Sequence, residues 1–261
     1  MTARGPAPFY AALGLIGGLY VALVAALLVA DVAYTSPGHV ARALASPEIR
    51  AAVWLSLLTC SASALLSVWV AVPLGYLLAR TRFPGRAVVD LLVDVPVVLP
   101  PMVVGLSLLV LFQTPPGLAL QRHLTVTYAV PAVVLAQFTV AAAFAVRTMR
   151  VTFEQISPRT EEVAMTLGCS RGRAFWLVTL PEAWRGVLTA GTLAWARSLG
   201  EFGPVLVFAG ATRMRTEVLA TTVFLELSTG DLEAALGVSL LMIGVAVVVL
   251  VLTRALGLRE G

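Results

Sequence analysis

Two short polar stretches hold most of the side chains that could do chemistry in this chain. The first is Thr160-Glu161-Glu162-Val163-Ala164-Met165-Thr166-Leu167-Gly168, continuing through Cys169 to Leu180-Pro181. It opens with helix-start chemistry: Ser157 or Thr160 can cap, Pro158 suits a first turn, and Glu161 and Glu162 lie near the positive helix end. Gly168 supplies a stop. A short helix with two carboxylates and an apolar ridge (Val163, Ala164, Leu167) suits another protein's groove, although a solvated loop helix has the same residue types. The second stretch, Arg197-Ser198-Leu199-Gly200-Glu201-Phe202-Gly203-Pro204, sets a cation and an acid four residues apart in an apolar run, on one helix face. Each intramembrane charge costs about 2.5–3.5 kcal/mol on insertion scales. Two readings fit. The pair cancels its own burial cost or closes a subunit interface; or Gly200 and Gly203 bring backbones together at a constriction where Arg197 offers positive potential to an anion.

The elements that position these groups follow from composition. With 59% hydrophobic and 12% charged residues and a mean hydropathy of +0.93, the chain reads as an all-α integral membrane protein. Its 261 residues allow about six spans of about 20 residues and no soluble catalytic domain, so 1–261 is expected to be one transmembrane domain. Apolar runs place the spans at about 9–33, 51–79, 91 onward, 126–146, 186–210 and 232–252, with a polar loop at about 147–185 between the fourth and fifth. Pro73 and Gly75 predict a bend or local unwinding in the second span. Pro96, Pro100 and Pro101, ahead of Gly105, remove backbone donors, so freed carbonyls need protein or water; the segment is a candidate path lining or a merely kinked helix.

All 18 basic residues are arginines. With the N-terminus inside, twelve fall in cytoplasmic segments: Arg4, Arg80, Arg82, Arg86, Arg147, Arg150, Arg159, Arg171, Arg173, Arg185, Arg254 and Arg259. Five (Arg42, Arg50, Arg122, Arg213, Arg215) fall outside, and Arg197 lies within a span. This bias predicts cytoplasmic termini and a cytoplasmic polar loop. A net charge of +4 makes nucleic acid a poor partner. Cys60 and Cys169 lack disulfide or metal spacing, and His123 has no partner at useful spacing. The chain lacks H-E-x-x-H, G-x-S-x-G and a Walker lysine, which leaves hydrolase and ATPase chemistry without its parts. An ion-coupled secondary transporter using Glu201 is the remaining rival.

The spacing Glu162-x-Ala164, three residues, Gly168, nine residues, Val178-x-Leu180-Pro181 resembles the loop motif of the membrane subunits of ATP-binding-cassette importers. Val163 replaces the middle alanine of that motif, and Val178 an isoleucine. Ala196 to Gly203, Phe208-Ala209-Gly210, Arg215 to Leu219, Leu225 to Asp231 and the Pro96 to Gly105 stretch are similar to the permeases of the molybdate, tungstate and sulfate importers, the molybdate branch most of all. The likeness covers about 50–255; Pro204 departs from it, where a small residue is expected. The resemblance implies a type I importer in the cytoplasmic (inner) membrane of a prokaryote. Two copies of the chain, a homodimer in lipid, would each seat a coupling helix on a cytoplasmic ATPase subunit, and an extracytoplasmic oxyanion-binding protein would deliver the anion. ATP and Mg would be bound by the partner ATPase, with no cofactor here and no enzymatic activity. Glu161, Glu162, Ala164, Gly168, Leu180 and Pro181 would couple to the ATPase. Pro96, Pro100, Pro101, Gly105, Arg197, Gly200, Glu201 and Gly203 would shape the translocation path or gate.

Overall fold

Inside a bilayer every backbone polar group must find its partner within the protein, so long apolar runs become helices. A computed structural model describes residues 7–35 and 37–258; Arg4 and Arg259, two of the orientation arginines, lie outside the described residues. The helices are α1 (Ala7–Tyr34), α2 (Pro37–Ala45), α3 (Pro47–Arg80), α4 (Arg86–Val98), α5 (Pro101–Gln113), α6 (Pro115–Gln121) and α7 (Val130–Gln155). They continue as α8 (Pro158–Thr166), α9 (Arg171–Ala174), α10 (Leu180–Glu182), α11 (Trp184–Leu199), α12 (Gly203–Phe208), α13 (Leu219–Thr229) and α14 (Leu232–Leu258). A π-helical turn, Phe175–Thr179, joins α9 to α10.

The core is built from α3, α7 and α11. Lipid supplies no hydrophobic force between helices, so close packing relies on small side chains and hydrogen bonds. On α3 the buried residues are mostly small: Ser56, Cys60, Ser63, Ala64, Ser67, Ala71 and Gly75. The Ser63 hydroxyl donates to the Val134 carbonyl of α7 at 3.0 Å, and the Ser56 hydroxyl accepts from the Leu219 N–H at 2.8 Å. α3 runs unbroken through Pro73, which corrects the expected unwinding. Gly75 serves packing instead: a Cβ there would lie 2.8 Å from Met149 Cβ and 2.9 Å from the Arg150 nitrogen of α7.

Six spans were expected, the third of them kinked by its prolines, and the helices of the third and fifth are interrupted. By length and composition, four helices (α1, α3, α7, α14) can cross a membrane, and five if α4 and α5 count as one. Those two meet at 116° across Leu99 and Pro100. Pro96 is accommodated inside α4, whereas Pro101 occupies the first turn of α5, where a missing N–H costs nothing. The expected fifth span is α11, a break at Gly200 to Phe202, and α12. α11 alone has 16 residues, about 24 Å of helix against a core of about 30 Å. The loops expected at 34–50, 113–125 and 211–231 contain α2, α6 and α13, and α7 extends to Gln155, well into the expected polar loop. α1 is apolar, has no buried residue over Phe9–Tyr34, and touches mainly α14.

Candidate functional site

The polar loop folds as its residue types require. Ser157 takes the cap of α8, its hydroxyl accepting from the Arg159 N–H at 3.4 Å, with Pro158 in the first turn. Gly168 ends the helix at φ +93°, a conformation that disfavours any side chain. The Cys169 N–H reaches the Ala164 carbonyl at 3.1 Å and the Gly168 N–H the Met165 carbonyl at 3.0 Å, the paired bonds of a Schellman stop. The outward face carries Glu162, Val163, Thr166 and Leu167, the last 81% exposed. An acid next to uncovered apolar side chains fits a protein groove, not free solvent. Ala164 is buried, Leu180 half-buried and Pro181 exposed.

Glu161 faces inward, unlike its neighbour. The Tyr76 hydroxyl of α3 donates to its Oε1 at 2.6 Å, and the Thr179 hydroxyl donates to Oε2 at 3.2 Å. Tyr76 packs edge-on to Phe153 of α7 and to Phe175, at centroid distances of 5.5 and 4.8 Å. Arg80 donates to the Ile156 carbonyl at 2.7 Å, tying the end of α3 to the chain just before α8. Tyr76, Thr179 and Arg80 were not singled out as site residues. Their signal was faint: a tyrosine in an apolar span, an arginine at the end of that span, and a threonine at the motif's variable position between Val178 and Leu180.

The structure brings the two candidate path segments together where α5 crosses α12. A Cβ on Gly105 would lie 2.8 Å from Pro204 Cα; a Cβ on Gly203 would lie 2.9 Å from Pro101 Cβ. Pro204 itself fits, buried in the first turn of α12. Gly200 takes no part in this contact: the nearest atom to a Cβ built there is the Arg197 carbonyl oxygen at 4.0 Å. Pro96 and Pro100 lie before the crossing, Pro96 inside α4 and Pro100 at the bend.

Arg197 and Glu201 pair as their spacing predicts, Nη1 to Oε2 at 2.8 Å, and the guanidinium lies 5.8 Å from the Phe144 ring of α7. The pair is lopsided: the Arg197 side chain is 32% exposed and that of Glu201 2%. One charge is therefore reachable while the other supports it. Arg197 lies thirteen residues into α11, about 20 Å along the helix from its start beside the polar loop. A second set of ion pairs, unforeseen in the sequence, joins α4 to α7: Arg147 to Asp94 at 2.6 Å and Arg150 to Asp90 at 2.7 Å. Among the described residues no cluster could hold a metal ion.

The family model described as "Binding-protein-dependent transport system inner membrane component" matches residues 71–259. The chain belongs to that family. It is therefore a multi-pass component of an inner-membrane transport system. A probable molybdenum ABC transporter permease of Haloferax volcanii is 38% identical, over 85% of this chain and 81% of its own length. A molybdenum transport permease of Mycobacterium tuberculosis is 39% identical over 79% of each chain. The Escherichia coli sulfate transport permease is 32% identical over 93% of this chain and 90% of its own. The fold also matches a chain of a bacterial alginate ABC transporter in complex with its alginate-bound periplasmic protein, at TM-score 0.77, 17% identity and coverage of 98% and 95%.

Proposed function

We propose that this chain is the permease subunit of an importer for a tetrahedral oxyanion, molybdate first, with tungstate and sulfate as the nearest alternatives. The observation that carries this is the pairing of an outward-facing α8, built to seat in a partner, with relatives named for these anions. The two relatives named for molybdenum are 38–39% identical and the sulfate permease 32%. Six crossings follow if α4 with α5, and α11 with α12, each count as one interrupted span. Interrupted helices expose backbone N–H groups, which suit an anionic substrate.

In this reading two copies form the membrane pathway, and α8 of each seats on a cytoplasmic ATPase subunit. Closure of the ATPase pair around ATP and Mg drives the α8 helices together and opens the path to the outside, where an extracytoplasmic binding protein releases the anion. Hydrolysis resets it. Glu162, Gly168, Leu180 and Pro181 form or shape the docking surface. The α5–α12 crossing at Gly105 and Gly203 narrows the path, and Arg197 offers its partly exposed guanidinium to the passing anion, held in place by Glu201. The arginine bias puts both termini in the cytoplasm.

Tagged chain purified from native membranes in mild detergent tests the reading. A cassette ATPase should co-purify with the wild type and be lost from Glu162→Arg. Uptake of labelled molybdate should be competed by tungstate more strongly than by sulfate. Recovery of the chain without an ATPase would sink the importer reading, and better competition by sulfate would move the substrate to sulfate.

A further inference from the structure

Glu161 is one of the two acids of α8, yet it is 6% exposed and offers a partner nothing to touch. Both of its carboxylate oxygens are taken by hydroxyls from two other elements, Tyr76 from α3 and Thr179 from the π-helical turn that leads into α10 and α11. Hydrogen bonds to an ionised acceptor are among the stronger ones a protein makes. The setting is stiff as well: the Tyr76 ring is wedged between Phe153 and Phe175, and Thr179 is 1% exposed.

Apart from the Arg80 bond to the Ile156 carbonyl, α8 is flanked by two joints in the backbone. At one end a single extended residue, Ile156, separates the end of α7 from the Ser157 cap; at the other, Gly168 sits at φ +93° with no atom near a would-be Cβ. A helix between two such joints swings as a flap when pushed, unless something fixes its inner face. Beside the buried Ala164, Glu161 does so with hydrogen bonds to two other elements.

We infer that Glu161 is a positioning residue that makes α8, the end of α3 and the turn into α11 one rigid lever, so that a push on α8 reaches the core. This rests on the reading of α8 as an ATPase-docking helix. It gives the two neighbouring acids different work: Glu162 meets the partner, and Glu161 carries the partner's movement inward. A strained joint is not required, since two discrete arrangements of the core need only be biased by the same rigid element.

The test uses the permease with its cassette ATPase in proteoliposomes and the variants Tyr76→Phe, Thr179→Val and the two combined. Each removes one hydroxyl and keeps the ring or branch that packs. Three quantities are read: ATPase subunits bound per permease, ATP hydrolysed, and anion moved per ATP. We expect the ATPase to stay bound at the wild-type ratio and to hydrolyse ATP, while anion moved per ATP falls about fivefold or more in the combined variant, the scale of an ordinary coupling energy. Glu161→Gln, which keeps one carbonyl acceptor, should fall between. An unchanged ratio of anion to ATP overturns the inference, whether activity is intact or lowered on both sides by a less stable fold. Loss of the ATPase from the variants alone also overturns it, since Glu161 would then shape the docking surface only. Absence of an ATPase from the wild type overturns the importer reading instead, which keeps the two failures apart.

Discussion

Arg197 and Glu201 are the residues at which structure and transport can be separated. A buried acid stripped of its cation costs about 3–5 kcal/mol in soluble proteins, and less in membranes, where alternative partners are found. Arg197→Met should therefore lower the thermal midpoint of the detergent-solubilised protein, and the Arg197→Met/Glu201→Met double variant should recover it. If the pair only neutralises itself, uptake recovers with stability. We expect uptake to stay down by about tenfold or more, roughly 1.4 kcal/mol of lost interaction with the anion. Glu217 is a different buried acid, lying between α12 and α13, outside the spanning helices. It is 2% exposed. Burial, above all, pushes its carboxyl up from the ordinary 4.5, with the Thr222 hydroxyl and Arg213 opposing and Glu226 and Glu48 adding to the shift. A raised value favours the protonated acid in the fold, so its stability contribution is present in acid and lost as pH climbs past the ordinary carboxylate range. Glu217→Gln, neutral at every pH, should raise the midpoint at pH 8 and leave it unchanged near pH 4. An equal gain at both would mean that charge is not the cause.

The crossing of α5 and α12 has a sharp element-level test in its glycines. Gly105→Val and Gly203→Val place a side chain within 3 Å of the opposing backbone or ring, an overpacking cost of about 1–3 kcal/mol that only a shift of the helices can relieve. Both should abolish or severely slow uptake while leaving the ATPase bound. Gly200→Ala, with nothing closer than 4.0 Å, should transport normally. A transport defect at Gly200 with tolerance at Gly105 would show that the path lies elsewhere. The same elements mark what the sequence made legible. Ser157, Pro158 and Gly168 act within a few residues of themselves, so the start and stop of α8 could be read directly, as could the break at Pro100 and Pro101 and the four-residue spacing of Arg197 and Glu201. Gly75 near Pro73 suggested local unwinding because nothing local records that Met149 packs against it. Tyr76 and Glu161 are 85 positions apart, and no periodicity links them. The interruption of the fifth span was hidden for a related reason: apart from Arg197 and Glu201 the 186–210 run is largely apolar, and the break at Gly200 to Phe202 depends on α12 turning to pack on α5 and α7.

At the scale of the whole molecule, the contacts sort the arginines to two ends. Tyr76 to Glu161 and Arg80 to Ile156 gather the end of α3, the end of α7 and the polar loop at one end, with exposed Arg159, Arg171 and Arg173. At the other end Arg42 pairs with Glu233 and Arg213 with Glu226. If the first end faces the cytoplasm, as the arginine bias implies, the two cysteines report it without engineering. Cys169 is a free, half-buried thiol between exposed Gly168 and Ser170, beside the docking face; Cys60 is also free but fully buried in α3, accepting from the Gln137 amide at 3.6 Å. A membrane-impermeant maleimide should label Cys169 in inside-out vesicles stripped of peripheral subunits and spare it in right-side-out vesicles. Cys60 should stay silent in both until the protein is denatured, so one thiol gives the whole signal. Adding back the ATPase should slow labelling of inside-out vesicles, because α8 and its glycine stop would be covered. Labelling only in right-side-out vesicles would invert the topology and put the α8 face outside, where no cytoplasmic ATPase could reach it.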